Sequence, residues 1–374
     1  MFVFRTGASR TASSDAALGA ASFGTAAAPD LSRAAETAPA RAVETAPTRA
    51  VETAPARAAL DPDSRLVTVR ADDGVALAAR VFGPDSAPLT LVFAHGHCLH
   101  TQSWSLLCAR LRARWGDDAR MICYDHRGHG ESDEGHPATY TIDQLARDLD
   151  AVLRAVAPTG PIVLVGHSMG AMVLLAYSRL FAEAIGTRVV GVGLIAGAAT
   201  GLTDVGLGRF LHRYTVMSLQ TAVRHAPRAM QASKRFSRHL FEPLMREASA
   251  GTRTISPHLL AVATTMLNET PLLTMAGFLT SLIRFDEIEG LHRLGAVPTL
   301  VLAGSADIVV PFAHSVVLAS QLGDCELVRV EGGSHSVIGE RTDEVAGAIA
   351  RLVARTRIAV TRDTGGTTDF AIAG

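Results

Sequence analysis

The residues with the clearest chemical potential form the pentapeptide Gly166–Gly170, which reads Gly-His-Ser-Met-Gly. It directly follows a run of apolar residues and precedes a helical pattern, so Ser168 is predicted to occupy a sharp turn between a strand and a helix. Glycine two positions to either side removes side chains that would collide in such a turn. The hydroxyl of Ser168 would then project from the edge of a sheet, which makes it a candidate nucleophile.

A serine hydroxyl needs a base to take its proton and an acid to hold that base. Asp307 follows the apolar run Thr299–Ala303, and His335 follows the next run, Cys325–Val330. Because the carboxyl ends of parallel strands lie at one edge of a sheet, both side chains are predicted to reach Ser168. We therefore expect a catalytic triad of nucleophile Ser168, base His335 and acid Asp307, in the chain order nucleophile, acid, base.

Acyl transfer also needs backbone N–H groups that stabilise the oxyanion of the tetrahedral intermediate. Met169 would supply one donor, because it follows the nucleophile at the start of a helix. The loop His95–Cys98 comes after the apolar run Leu89–Ala94, and the N–H of His97 is the predicted second donor. The side chain of His95 is expected to pack and to form hydrogen bonds rather than to catalyse.

Four residues beside these groups are candidates for substrate binding. Gly96 would allow the loop to approach closely, Cys98 follows the second donor, and His167 precedes the nucleophile. Trp104 begins the segment after the loop and could form a wall of the acyl site. For Trp104, packing in the core is the alternative that we favour.

Fourteen histidines raise the question of a metal site. His126 and His129 stand beside Asp125, and these side chains have the chemistry of metal ligands. We nevertheless predict no metal site, because the family resemblance described below implies that Asp125–Ser132 is a structural turn.

The elements that must position these groups are predicted as alternating strands and helices. Asp73-Gly74, between two apolar stretches, predicts a hairpin. Later apolar runs are too continuous for half-exposed strands, and strands buried on both faces are typical of parallel sheets. These runs are Leu89–Ala94, Met121–Tyr124, Ile162–Val165, Val189–Ile195 and Thr299–Ala303. Thr141–Val156 repeats apolar residues at helical intervals and begins with capping-box spacing, which predicts a helix between two of these strands. Alternation of strands and helices predicts a doubly wound α/β sheet.

The domain organisation follows from changes in composition. The α/β core is predicted over residues 65–200 and 295–356, and the helical pattern of 201–294 predicts a cap over one end of the sheet. Residues 1–64 contain three copies of Glu-Thr-Ala-Pro at a spacing of eight residues. Regular prolines interrupt helices and small side chains build no core, so a disordered tail is expected there, and a flexible tail at 357–374.

Taken together, these motifs resemble those of the α/β-hydrolase fold family, in its serine hydrolase branch with a helical cap. The resemblance covers roughly residues 65–355. It rests on the His-Gly pair at 95, the segments 125–132 and 304–311, the Gly-His-Ser-Met-Gly pentapeptide and the Ser334-His335 loop. It implies eight mostly parallel strands with helices on both faces, the same triad, and no metal or organic cofactor. Ser334 is a departure, because many relatives have glycine before the histidine.

The identity of the nucleophile narrows the reaction. Serine, rather than aspartate, argues against dehalogenases and epoxide hydrolases of this fold. We expect hydrolysis of a carboxylic ester or thioester through an acyl-enzyme, with a small hydrophobic acyl or ester substrate. Cofactor-free haloperoxidases (perhydrolases) and carbon–carbon bond hydrolases share the triad and stay open as alternatives, and so does a receptor on a hydrolase scaffold.

Composition constrains the partners. The 374 residues are 48% hydrophobic and carry a net charge of −1, which favours a folded domain and argues against nucleic acid as a partner. No uncharged apolar run reaches about 18 residues, so no membrane insertion is expected. The nearest candidate, residues 255–283, is interrupted by Asn268, Glu269 and Pro271 and predicts two helices.

The expected compartment is the cytoplasm. The four cysteines are scattered without close pairs, which indicates reduced thiols rather than a disulfide scaffold or a zinc ribbon. Residues 16–28 faintly resemble a signal peptide but lack its leucine-rich centre. Secretion is therefore the weaker alternative.

Overall fold

The computed structural model of the protein describes residues 64–206, 213–225 and 257–363. An eight-stranded sheet passes through this part of the chain in the order β1-β2-β4-β3-β5-β6-β7-β8. The first two strands pair antiparallel, β2 also pairs antiparallel with β4, and all later neighbours are parallel. The strands are β1 Arg65–Arg70, β2 Ala76–Phe82, β3 Leu89–Ala94, β4 Ala119–Tyr124, β5 Ile162–His167, β6 Val189–Ile195, β7 Thr299–Gly304 and β8 Cys325–Val330. The predicted α/β class and its mostly parallel eight-stranded sheet are confirmed.

Helices cover both faces of this sheet. The described helices are α1 Ser105–Trp115, α2 Ile142–Val156, α3 Met169–Leu180, α4 Arg213–His225, α5 Pro257–Glu269, α6 Leu272–Ile283, α7 Ile288–Arg293, α8 Phe312–Ser320, α9 Val337–Glu340 and α10 Thr342–Asp363. One hydrophobic cluster packs α2 and α3 against the sheet, and a second packs α1, α9 and α10 against the other face. Every residue of β3, β4, β5 and β7 is buried, as continuous apolar strands between two helical layers require.

The start of α2 shows how local sequence sets a helix boundary. The hydroxyl of Thr141 accepts a hydrogen bond from the N–H of Gln144 at 3.1 Å, which satisfies one of the free donors of the first turn. The helix therefore begins at Ile142, one residue after its N-cap.

The interval 201–294 contributes α4, α5, α6 and α7, and residues 207–212 and 226–256 of the predicted cap lie outside the described residues. Residues 255–283 hold two helices, as expected, because α5 ends at Glu269 and α6 begins after Pro271. Phe278 of α6 is fully buried and packs on Tyr140 with ring centroids 5.0 Å apart, so this helix is seated on the core.

The two predicted tails differ in outcome. The N-terminal segment lies outside the described residues as far as residue 63. At the other end, α10 continues to Asp363, so the boundary expected at residue 357 falls inside a helix. No proline or glycine occurs between Arg357 and Gly365 to interrupt it. Within the described ranges, no helix has the length and apolar character needed to cross a membrane.

Candidate active site

The nucleophile elbow forms where β5 passes directly into α3. Ser168 has φ 54° and ψ −118°, a left-handed backbone conformation that is costly for any residue with a side chain. Its N–H donates to the carbonyl of Ile195 at 2.8 Å, which holds the strained residue to the neighbouring strand. Strain retained at one residue between a buried strand and a buried helix is typical of a functional position.

The flanking glycines are required by the space around them. A Cβ on Gly166 would lie 2.5 Å from the carbonyl carbon of Gly170, and a Cβ on Gly170 would lie 2.0 Å from the carbonyl oxygen of Ala94. Both obstructions are backbone atoms, which cannot rotate away. The pentapeptide pattern therefore reflects close packing of the elbow against β3.

The three predicted triad residues meet at the carboxyl edge of the sheet. His335 Nε2 lies 2.9 Å from Ser168 Oγ, and His335 Nδ1 lies 2.8 Å from Asp307 Oδ2. The Asp307 carboxylate accepts a hydrogen bond, so the proton of the neutral imidazole is assigned to His335 Nδ1, which donates to it. Nε2 then carries no proton and accepts a hydrogen bond from the Ser168 hydroxyl. This is the arrangement in which the imidazole can act as a base toward Ser168.

Asp307 is fixed on its other side by backbone groups. Its second oxygen, Oδ1, accepts from the N–H groups of Val309 and Val310 at 2.9 and 2.8 Å. The carboxylate side chain has no exposed surface, whereas 18% of the His335 side chain is exposed. The acid is thus held rigidly within the protein, and the base reaches the surface of the site.

The predicted oxyanion loop passes directly beside the nucleophile. A Cβ on Gly96 would lie 3.1 Å from Ser168 Cβ and 3.0 Å from His167 Nδ1, so glycine allows the closest approach. Met169 is the first residue of α3. In the described part of the chain, neither its N–H nor that of His97 donates to a protein acceptor. Both groups therefore remain free for a ligand oxygen, as an oxyanion site requires.

Buried histidines from the 125–132 segment support this loop. The N–H of His126 donates to His95 Nε2 at 3.0 Å, and His126 Nε2 donates to the His95 carbonyl at 3.0 Å. His129 Nε2 accepts from the N–H of Cys98 at 3.2 Å. Residues that resemble metal ligands in sequence thus hold the backbone on both sides of His97.

These histidines are held in the neutral form by burial. Loss of solvation lowers the pKa of His126 to about 3, and it lowers the pKa values of His95 and His129 well below 6.5. The neighbouring rings act in the same direction. A neutral ring has one donor and one acceptor nitrogen, which is what the observed hydrogen bonds need.

Asp125 adds a further link between the 125–132 segment and the residues that follow the oxyanion loop. Its Oδ1 accepts from the N–H of Thr101 at 2.7 Å, and its Oδ2 accepts from the N–H of Glu131 at 2.9 Å. Among residues 64–206, 213–225 and 257–363, no three His, Cys, Asp or Glu side chains are grouped so that they could hold a metal ion.

The oxyanion loop is also tied to the cap. His97 Nε2 donates to the carbonyl of Met275 in α6 at 3.1 Å, and burial lowers the pKa of His97 to about 4. His100 Nε2 lies 3.2 Å from an oxygen of Glu269 at the end of α5. The sequence indicated neither link, because both depend on how the cap helices pack on the loop, which strand order does not determine.

The candidate substrate-binding residues fall into two groups. Gly96 and Cys98 lie in the oxyanion loop, and Gly96 borders the nucleophile directly. Trp104 is fully buried, and its ring centroid lies 5.2 Å from that of Phe93 in the core. His167 is also buried, and its Nε2 donates to the backbone carbonyl of His335 at 2.8 Å, so it supports the loop that carries the base.

A cavity of about 500 Å³ lies elsewhere, between the start of α2 and the cap helices α4 and α6. Its walls include Tyr140, Asp143, Gln220 and Ser281. No triad residue lines it, so we do not assign it to the reaction.

The fold and the hydrogen-bonded serine, histidine and aspartate define an α/β-hydrolase with a serine nucleophile. Residues 85–342 match the family described as "Serine aminopeptidase, S33". This match spans more than half of the chain, and the protein belongs to that family of serine hydrolases.

Individual relatives carry several different activities. The chain is 26% identical over 277 residues to proline iminopeptidase PfmaB of Pestalotiopsis fici, covering 73% of this chain and 94% of that protein. It is 28% identical over 138 residues to a monoacylglycerol lipase of Mycolicibacterium smegmatis, covering 35% of this chain and 47% of the lipase. The solved structure of a thermophilic esterase from Thermogutta terrifontis superposes with a TM-score of 0.62 at 22% identity, over 78% of this chain and 99% of the esterase. At that identity the likeness concerns the fold alone.

Proposed function

We propose that this protein hydrolyses carboxylic esters or thioesters of small hydrophobic acyl groups through an acyl-enzyme on Ser168. The observation that carries the proposal is the unbroken hydrogen-bonded series from Ser168 through His335 to the buried Asp307. A half-buried serine in a strained turn has no structural need for such partners, whereas a nucleophile depends on them.

In the first half of the reaction, Ser168 Oγ attacks the carbonyl carbon of the ester while His335 Nε2 takes its proton. Asp307 stabilises the resulting imidazolium without taking a proton itself. The negative charge on the carbonyl oxygen is stabilised by the N–H groups of Met169 and His97. His335 then gives its proton to the departing alcohol or thiol, which leaves the acyl group on the serine.

In the second half, a water molecule attacks the acyl-enzyme, and His335 again acts as the base. The carboxylic acid leaves and Ser168 recovers its proton. The same two N–H donors serve both tetrahedral intermediates, because the carbonyl oxygen occupies the same position in each.

The test is a series of p-nitrophenyl esters of increasing acyl length, assayed with wild type, Ser168→Ala and Ser178→Ala. We expect turnover in wild type and a loss of about 10⁴-fold or more in kcat for Ser168→Ala. Ser178 lies in the same helix and also donates its hydroxyl within the protein, to the carbonyl of Leu175, so Ser178→Ala controls for loss of a buried hydroxyl. It should keep kcat within about threefold.

Two further substrates separate the alternatives. Rapid release of naphthylamine from an L-prolyl naphthylamide, with no ester turnover, would replace the ester proposal with an aminopeptidase. Bromination that requires acetate and peroxide and exceeds ester hydrolysis would replace it with a perhydrolase. Equal ester turnover in wild type and Ser168→Ala would refute the serine mechanism altogether.

A further inference from the structure

Ser334, the residue immediately before the base, is fully buried, and both its N–H and its hydroxyl form hydrogen bonds. Its N–H donates to Glu340 Oε2 at 2.9 Å, and its hydroxyl donates to Glu340 Oε1 at 2.5 Å. The same hydroxyl oxygen accepts from the N–H of Ser336 at 3.1 Å. One carboxylate thus receives two hydrogen bonds from the residue that precedes His335.

The carboxylate is itself well anchored. Glu340 is the last residue of α9, a short helix that begins two residues after His335. Val337 and Ile338 of this helix are buried in the cluster that packs α1 and α10 against the sheet. Packing of α9 in the core therefore fixes the position of Glu340. The hydrogen bonds from Ser334 to Glu340 then fix the backbone just before His335.

The opposite side of the loop is held separately. His167 Nε2 donates to the carbonyl of His335 at 2.8 Å, and the N–H of Ala306 donates to the carbonyl of Gly333 at 2.9 Å. Without Glu340, the backbone just before the base would depend on Gly332 and Gly333, which resist bending less than any other residues. A base displaced by about 1 Å loses much of its catalytic effect.

We propose that Ser334 and Glu340 form a clamp that positions His335 for proton transfer. Both are positioning residues, because they act through the backbone of His335 and touch no reacting atom. The proposal rests on the proposed function, and it gives a role to the serine that stands where many relatives have glycine. Hydrogen bonds to an ionised carboxylate are stronger than neutral ones, which suits a clamp on a glycine-rich loop.

The test compares Ser334→Ala, Glu340→Ala and the double variant with wild type on the best p-nitrophenyl ester. We expect each single variant to lower kcat about tenfold while KM stays within about twofold, because proton transfer and not ester binding is affected. The double variant should be no more than about twofold slower than Glu340→Ala, because Glu340→Ala removes both hydrogen bonds to Ser334 and Ser334→Ala removes one of the same two. Glu340→Gln keeps the shape and one acceptor, and its kcat should fall between those of wild type and Glu340→Ala.

Glu331 provides a matched control, because it is an exposed carboxylate on the same loop whose partner is Arg329. Glu331→Ala should leave kcat unchanged. A second readout is independent of substrate: the low-field proton NMR signal of His335 Nδ1–H, bonded to Asp307, should broaden or disappear in the clamp variants and stay sharp in Glu331→Ala. If Glu340→Ala does not fold, Glu340→Gln and Ser334→Gly carry the test.

The clamp is refuted if the single variants keep kcat within twofold and retain the sharp NMR signal, or if their effects multiply in the double variant. A rise in KM with unchanged kcat would also overturn it, since the residues would then act on binding. Failure of the proposed function looks different: wild type itself turns over no ester, and Ser168→Ala matches it. That result would overturn the clamp together with the reaction it serves.

Discussion

At the scale of single residues, Gly170 shows how strongly the elbow constrains its neighbours. Gly170 lies in the first turn of α3, where alanine would ordinarily stabilise a helix. A Cβ there would meet the carbonyl oxygen of Ala94 at 2.0 Å and that of His95 at 2.8 Å. Relief of this clash would displace β3 or the start of the oxyanion loop, so the glycine serves both the fold and the proposed site.

Gly170→Ala is expected to lower the free energy of unfolding by about 1–3 kcal/mol, the usual range for an overpacked interior. Gly347→Ala is the matched control, because Gly347 also lies in a helix and its Cβ would meet only the flexible Arg351 side chain, at 3.8 Å. The control should be neutral or stabilise the protein by up to about 1 kcal/mol. Urea unfolding of both variants measures the difference, and equal stabilities would contradict the steric argument.

At the scale of elements, Arg127 joins the hairpin, α2 and the loop that supports the oxyanion donors. Its Nε and Nη2 donate to the two oxygens of Asp148, each at 2.6 Å, and its Nη1 donates to Asp73 at 2.7 Å. Neither Arg127 nor Asp148 has exposed side-chain surface. Burial raises the pKa of Asp148, and the guanidinium opposes that rise. The pair is therefore interdependent, since either charge alone would be buried without compensation.

Arg127→Met is expected to cost about 3–5 kcal/mol, because it leaves Asp148 buried and unpaired. Arg154 is a suitable control, since it also pairs with two aspartates, Asp150 at 2.7 Å and Asp72 at 3.0 Å, but its side chain is 55% exposed. Arg154→Met should cost less than about 1 kcal/mol. Chemical denaturation of the two variants gives the comparison. A similar small loss in both would show that the buried network is not coupled to stability.

The same scale shows what the sequence could and could not predict. Continuous apolar runs and the chain order of Ser168, Asp307 and His335 were sufficient for the sheet and the triad geometry, because strand direction alone brings those loops to one edge. The contacts of His129 and Glu340 could not be predicted, since they depend on which way loop side chains turn. Trp104 and His167 were candidates for substrate binding from their proximity in sequence, with core packing favoured for Trp104, and the structure buries both.

At the scale of the whole molecule, buried histidines link stability to pH. Burial lowers the pKa of His97 to about 4 and those of His126 and His167 to about 3, while His95 and His129 lie well below 6.5. In the unfolded chain these residues take up protons below about pH 6.5. Their contribution to stability is therefore complete above that pH and is lost progressively as the pH falls toward the folded-state values.

The free energy of unfolding should fall by several kcal/mol between pH 7 and pH 5.5, at about 1.4 kcal/mol per pH unit for each fully responding histidine. His126→Gln should reduce the number of protons taken up on unfolding by about one, and so reduce the slope of the free energy of unfolding against pH by about 1.4 kcal/mol per pH unit. His292→Gln, at an exposed position, should leave the slope unchanged. Asp125 and Asp148, whose pKa values are raised by burial, act in the opposite sense, and a window above pH 5.5 favours the histidines. Stability that stays constant across the window would contradict this account.

The nucleophilic character of Ser168 is tested most directly by reaction with a fluorophosphonate, followed by intact-mass measurement and peptide mapping. A fluorophosphonate reacts with a serine only where a neighbouring base activates the hydroxyl. The predicted result is a single adduct on the peptide that contains Ser168, absent in Ser168→Ala and formed far more slowly in His335→Ala. An unlabelled wild-type protein, or an adduct that persists in Ser168→Ala, would contradict the claim that this serine is the nucleophile.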